Sequence, residues 1–262
     1  MAVIRFSHHS RVLSSLMECN IVLPDVVFDA AGGNKGTPEA EKLKVLWLCH
    51  GGSGDQNEWL YHADLIELSN RYHIGIVLVN ANDSCFVDMP YGLRYGTYLG
   101  EELPRIVWNT FSLFSSARED NLISGLSNGG YGCFYLGLKY PENYAAIGAF
   151  SAGDKADAVP KPFQEGQMNP RVRMFGAVDI HNTEYSIKHL ARELAKTERV
   201  KPKIYHACGG KDPWLSMNLL VKQCFEEIDN ADYAYVYHQM DEYGHEWKFW
   251  EQELNNFLAN MI

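Results

Sequence analysis

Ser124-Gly125-Leu126-Ser127-Asn128-Gly129-Gly130-Tyr131-Gly132 is the stretch whose reading decides the fold. It contains Gly-x-Ser-x-Gly. The run before it, 121–127, is short and apolar, and 130–140 has the spacing of an amphipathic helix. The motif therefore joins a predicted strand to a predicted helix. That placement gives the glycines a mechanical purpose. The chain reverses so tightly that side chains at Gly125 and Gly129 would collide with the neighbouring strand and helix. Ser127 is then held in a strained conformation with its hydroxyl exposed. The backbone N–H of Asn128, at the helix start, points where an oxyanion would form. A chemically idle Gly-rich turn has the same pattern, so the motif's partners decide its meaning.

A serine hydroxyl is a poor nucleophile at neutral pH and needs a base. Where a strand–serine–helix turn carries a nucleophile, the acid and then the histidine follow it in the chain. Asp212 lies in Cys208-Gly209-Gly210-Lys211-Asp212-Pro213-Trp214, just past a predicted strand. His245 lies in Asp241-Glu242-Tyr243-Gly244-His245-Glu246-Trp247, the equivalent loop before the last predicted helix. Ser127, Asp212 and His245 are thus the expected nucleophile, orienting acid and base. Asp179 with His181 would reverse the order, and Asp154, after the strand that follows the elbow, is the reserve acid. His206 and His238 sit in predicted strands as packing residues. His50 is expected to order the backbone of the Gly-rich loop that follows it.

That loop, His50-Gly51-Gly52-Ser53-Gly54, follows the third predicted strand, the place from which a second oxyanion donor comes in this arrangement. The expected donors are the backbone N–H groups of Asn128 and Gly52, with Ser53 as the alternative to Gly52. Ser53, Trp59, Phe86, Tyr91 and Trp214 are the candidate pocket walls, each with core packing as the competing reading.

Further out, short apolar runs recur at 43–49, 74–81, 145–150, 203–208 and 233–237. Amphipathic stretches lie between them at 60–72, 98–111, 184–197, 215–228 and 246–261. Continuous apolar strands alternating with helices predict a largely parallel sheet of about eight strands, covered on both faces. Residues 1–13 and 18–23 predict two strands that open the sheet antiparallel. Residues 30–41 predict an exposed connection. Residues 154–183 lack periodicity, and a connection of that size is expected to be a lid or pocket wall. The three expected catalytic residues draw on strand ends across the chain, so 1–262 is expected to be one α/β domain.

Composition excludes other classes. The 262 residues are 46% hydrophobic and 21% charged, which is globular. Lys plus Arg is 23 against 33 Asp plus Glu, a net charge of −10. With no basic stripe, nucleic acid is not an expected partner. No apolar run is long enough to span a bilayer, and the first nine residues do not read as a signal peptide. The scattered cysteines, Cys19, Cys49, Cys85, Cys133, Cys208 and Cys224, form no CxxC pair and read as reduced thiols of a cytoplasmic protein. No metal-ligand set or phosphate-binding loop is present in the sequence.

The chain resembles the tributyrin esterases of the esterase D-like branch of α/β hydrolases. The resemblance runs through His50 to Gly54 with Trp59, then Tyr91-Gly92-Leu93-Arg94-Tyr95-Gly96-Thr97-Tyr98 and Glu101-Glu102-Leu103-Pro104. It continues through Gly125 to Phe134 and Cys208 to Asp212, and ends on Gly244-His245-Glu246-Trp247-Lys248-Phe249-Trp250-Glu251. It implies the α/β-hydrolase fold, a serine carboxylesterase acting on short acyl esters, no cofactor, and in many members a homo-oligomer. By position it gives the same roles to Ser127, Asp212 and His245. The family usually has methionine where Asn128 stands and a bulky apolar residue where Gly52 stands. The resemblance therefore implies a roomier, more polar pocket. Specialised esterases acting on feruloyl, acetyl-carbohydrate or S-formylglutathione substrates are the alternatives within the fold. A non-catalytic binding protein on the same scaffold is the reading of another class, and an acyltransferase is a further one.

Overall fold

The computed structural model describes residues 2–25, 42–158, 169–228 and 233–262. The expected connection at 30–41 lies outside the described residues, as does 159–168 of the expected lid. The described residues build an eight-stranded sheet: β1 (Ala2–Ser10), β2 (Ser15–Leu23), β3 (Lys44–Cys49), β4 (Ile74–Leu78), β5 (Asn121–Leu126), β6 (Ala146–Phe150), β7 (Lys203–Gly209) and β8 (Val236–Met240). Their spatial order is β1-β2-β4-β3-β5-β6-β7-β8. β1, β2 and β4 pair antiparallel in turn, and every later pairing is parallel.

Burial follows the sequence pattern. β4, β5 and β6 are buried at every position, because helices cover both faces of the sheet. β1 alternates half-buried with exposed, as an edge strand covered on one face does. One apolar cluster, containing Trp47, Tyr98, Phe134 and Phe225, fills one side. A second, containing Trp59, Phe150, Trp250 and Phe257, fills the other.

The helices are α1 (Glu58–His62), α2 (Leu65–Tyr72), α3 (Tyr95–Thr97), α4 (Leu103–Thr110), α5 (Asn128–Lys139), α6 (Pro170–Phe175), α7 (Ile187–Ala195), α8 (Leu215–Glu227) and α9 (Trp247–Met261). Two expectations are corrected. The stretch 60–72 is two helices, because the Asp64 carboxylate accepts the Glu67 N–H at 2.9 Å and starts a new one. The last strand starts at Val236 and not at Tyr233, because Ala234 takes φ 42° and turns the backbone before the ladder begins.

Parallel register brings the strand ends together. Cys49 lies opposite Gly125, Leu126 opposite Phe150, Phe150 opposite Ala207, and Gly209 opposite Met240. The loops after β3, β5, β6, β7 and β8 therefore share one edge of the sheet, where open α/β sheets place their sites.

His206, in β7, is fully buried. Its Nδ1 faces the Tyr235 hydroxyl at 2.8 Å and its Nε2 faces Asn218 Oδ1 at 2.9 Å. That pair suits a neutral ring, which accepts from Tyr235 and donates to Asn218. Burial pushes its pKa from 6.5 down to about 4. The unfolded chain therefore takes up this proton first as pH falls. Stability from the neutral ring is complete above about pH 6.5 and is lost as pH falls towards 4. Urea unfolding of the wild type is expected to show a loss of roughly 2–3 kcal/mol between pH 7 and 4.5 that is missing from His206→Gln. Parallel pH profiles for the two proteins would contradict this.

Candidate active site

The elbow has the strain its sequence predicts. Ser127 sits between β5 and α5 at φ 53° and ψ −116°, a conformation that costs a non-glycine residue roughly 1–3 kcal/mol. Surrounding backbone holds it there: its N–H donates to the Phe150 carbonyl at 2.8 Å, and its own carbonyl accepts from Tyr131 at 3.1 Å. A Cβ at Gly125 would lie 2.8 Å from the Cys49 carbonyl oxygen, and one at Gly129 only 2.4 Å from that of His50. No side chain fits at either place.

The three residues read from the sequence meet. His245 Nε2 lies 3.1 Å from Ser127 Oγ, and His245 Nδ1 lies 2.8 Å from Asp212 Oδ2. Asp212 is 5% exposed and His245 is half-buried. Burial alone would raise the Asp212 carboxyl. Hydrogen bonds from His245, Ser151 and the Trp214 N–H outweigh it and hold the group below its ordinary range. The Trp214 N–H reaches Asp212 Oδ1 at 2.8 Å.

Ser151 is a supporting residue that sequence reading missed. Besides bonding Asp212, its Oγ accepts from Trp250 Nε1 at 2.9 Å. The Trp250 ring in turn stands edge-on to His245, at 4.8 Å and 88°. The available signal was position: Ser151 directly follows β6, on the same sheet edge as Asp212. Asp154, the reserve acid, is fully buried and fastens a different part of the fold. It accepts from the Ala156 N–H, the Ser186 hydroxyl and the Lys188 N–H, at 2.9, 2.7 and 3.1 Å.

The loop after β3 is built around backbone. Gly51 N–H donates to Glu58 Oε2 at 2.6 Å, Gly54 N–H returns to the Gly51 carbonyl at 3.3 Å, and Ser53 takes φ 61°. His50 orders this loop, as expected. Its Nδ1 faces the Gly51 carbonyl at 2.7 Å and its Nε2 accepts from the Ala81 N–H at 3.1 Å. The Gly52 N–H has no protein acceptor among the described residues. The Asn128 amide fills the space beside Gly52: a Cβ at Gly52 would lie 2.9 Å from Asn128 Nδ2.

Ser127 opens into a cleft of about 90 Å³ lined by Ser151, Gly153, Lys155, Ala158, Trp214 and Met217. Of the candidate pocket walls, Trp214 lines it. Trp59 and Phe86 are corrected, because both are core residues. Trp59 is buried, donates its indole N–H to the Cys49 carbonyl at 2.9 Å, and meets Trp247 edge-on at 5.2 Å behind the site. Phe86 is buried against the His50 ring at 5.2 Å, in the space Gly132 leaves. Tyr91, 72% exposed, and Ser53 lie on the surface.

A family model described as "Putative esterase" matches residues 10–261. The chain belongs to this esterase family. The esterase is 31% identical over 267 residues to the acetyl esterase of Caldicellulosiruptor saccharolyticus, across 99% of this chain and 96% of that protein. Among solved structures, it matches the fluorophosphonate-binding serine hydrolase F of Staphylococcus aureus with a TM-score of 0.85 at 23% identity, over 99% of this chain and 98% of that one. The S-formylglutathione hydrolase of the same organism gives a TM-score of 0.82 at 23% identity, with the same coverage. Both structures share the α/β-hydrolase fold with this esterase.

Proposed function

We propose that this esterase hydrolyses short-chain carboxylic esters through an acyl-enzyme formed on Ser127. The observation that carries the reading is the continuous contact from Ser127 Oγ to His245 at 3.1 Å and on to Asp212 at 2.8 Å. Ser127 Oγ attacks the ester carbonyl while His245 Nε2 takes its proton. The carbonyl π pair moves onto oxygen, where the backbone N–H groups of Gly52 and Asn128 receive it. Asp212 accepts from His245 Nδ1–H, which keeps Nε2 free as the base and stabilises the imidazolium. The intermediate then reforms its carbonyl and expels the alcohol, to which His245 returns the proton. Water, deprotonated by His245, attacks the acyl-enzyme next. The second intermediate expels Ser127 Oγ, which takes the proton back from His245, and the acid leaves and ionises to the carboxylate.

The small cleft supports short acyl groups, in keeping with the name of the acetyl esterase relative. Purified protein is expected to hydrolyse p-nitrophenyl acetate with a pre-steady-state burst of about one equivalent. A fluorophosphonate is expected to block that activity and to label Ser127 in a peptide map. Unlabelled Ser127 in an active protein would overturn the assignment.

A further inference from the structure

The cleft beside Ser127 contains a fixed positive charge. Lys155 belongs to a short 3-10 turn, Lys155–Asp157, just after β6. Its backbone is held from two sides. Buried Asp154 caps the turn at the Ala156 N–H, and the Arg171 guanidinium donates to the Lys155 carbonyl. Its ammonium donates to Asn128 Oδ1 and lies 5.6 Å from the centre of the Tyr131 ring. These contacts aim the charge into the cleft that Ser127 shares.

No carboxylate among the described residues forms an ion pair with this ammonium. The two acids of its own turn are engaged elsewhere: Asp157 pairs with Lys188 at 2.6 Å, and Asp154 is occupied by its three donors. A half-buried ammonium has three donors, and a neutral amide oxygen accepts only one of them. Taking such a charge from water is unfavourable without a counter-ion. A substrate that brings an anion supplies one. The overall charge of −10 gives no general attraction for anions, so selection of one must come from a local group.

We propose that Lys155 is a specificity residue that binds a carboxylate carried by the ester substrate, a few bonds from the scissile carbonyl. Asn128 orients the ammonium for this contact, and Tyr131 supports it from the other side. The inference rests on the esterase reading and adds the substrate class: esters that carry one negative charge on their acyl or alcohol part.

The test compares kcat/KM for esters of matched size. Monoethyl succinate is paired with ethyl butyrate, followed by ethanol release. 2-Acetoxypropanoate is paired with its methyl ester, followed by acetate release. The first pair places the charge on the acyl side and the second on the alcohol side. The anionic ester of at least one pair is expected to be preferred. That preference is expected to fall about tenfold or more in Lys155→Met, to survive in Lys155→Arg, and to shrink with added salt. Asn128→Asp, which places a counter-ion on the protein itself, is expected to reduce the preference too. No preference in either pair would overturn the inference, as would an equal loss on charged and neutral esters in Lys155→Met. If neutral esters still turn over and Ser127 still labels with the fluorophosphonate, the esterase reading survives that result. If neither holds, the esterase reading falls first.

Discussion

Ser127→Ala is expected to lower kcat on a simple ester by at least ~10⁴-fold, and His245→Ala to lower it by a similar factor. The double variant is expected to be hardly worse than either single one. The reason is in the geometry: His245 Nε2, 3.1 Å from Ser127 Oγ, has no other proton to take at the start of the reaction. Removing either partner removes the whole step. The residual rate is expected to come from the proposed backbone donors at Gly52 and Asn128, which these substitutions leave in place. Asp212→Asn tests the third member differently. An amide N–H facing His245 Nδ1 would force that nitrogen to accept. The ring proton would then move to Nε2 and face Ser127. A loss near ~10⁴-fold is expected with the fold intact. Steady-state kinetics, normalised to folded protein by circular dichroism, reads all four variants. Losses that multiply in the double variant would show that Ser127 and His245 act in separate steps.

The elbow and the meeting of Asp212 and His245 with it were legible because each rests on a local signal. Gly125 and Gly129 flank a serine at a strand end, and Asp212 and His245 each follow an apolar run. Parallel strands fix where such ends meet, so strand order carried them to one edge without any knowledge of packing. The pocket was less legible for the opposite reason. An aromatic side chain near a loop can face the cleft or the core, and only the packing decides. Trp59 and Phe86 went to the core because the Cys49 carbonyl and the vacant Cα face of Gly132 each offered a fit. Lys155 gave no local signal, and Ser151 only that of its position after β6. Both act through partners distant in the chain, Asn128 for the one and Asp212 with Trp250 for the other. The doublet Gly52 and Asn128 was partly legible: two departures from the resembled family turn out to be neighbours, the amide of one occupying the side-chain space of the other.

Gly129→Ala is expected to destabilise the protein by ~3 kcal/mol or more and to leave little active material. Two effects compete at this position. Gly129 lies in the first turn of α5, where alanine is the better helix former by about 1 kcal/mol. Against that, the new Cβ would stand 2.4 Å from the His50 carbonyl oxygen, 2.6 Å from that of Cys49 and 2.8 Å from the Cys49 carbonyl carbon. All three are backbone atoms at the end of a buried central strand, so no side chain can move aside. Relief requires α5 and β3 to part, which exposes core and pulls the Gly52 loop away from Ser127. The steric cost therefore exceeds the propensity gain. Gly52→Ala is the control. Its Cβ would meet only Asn128 Nδ2, at 2.9 Å, the far end of a side chain that can rotate. Its stability is expected to stay within about 1 kcal/mol of the wild type. Urea unfolding midpoints of the two variants separate these cases. A Gly129→Ala protein as stable as Gly52→Ala would mean that the elbow is looser than its contacts require.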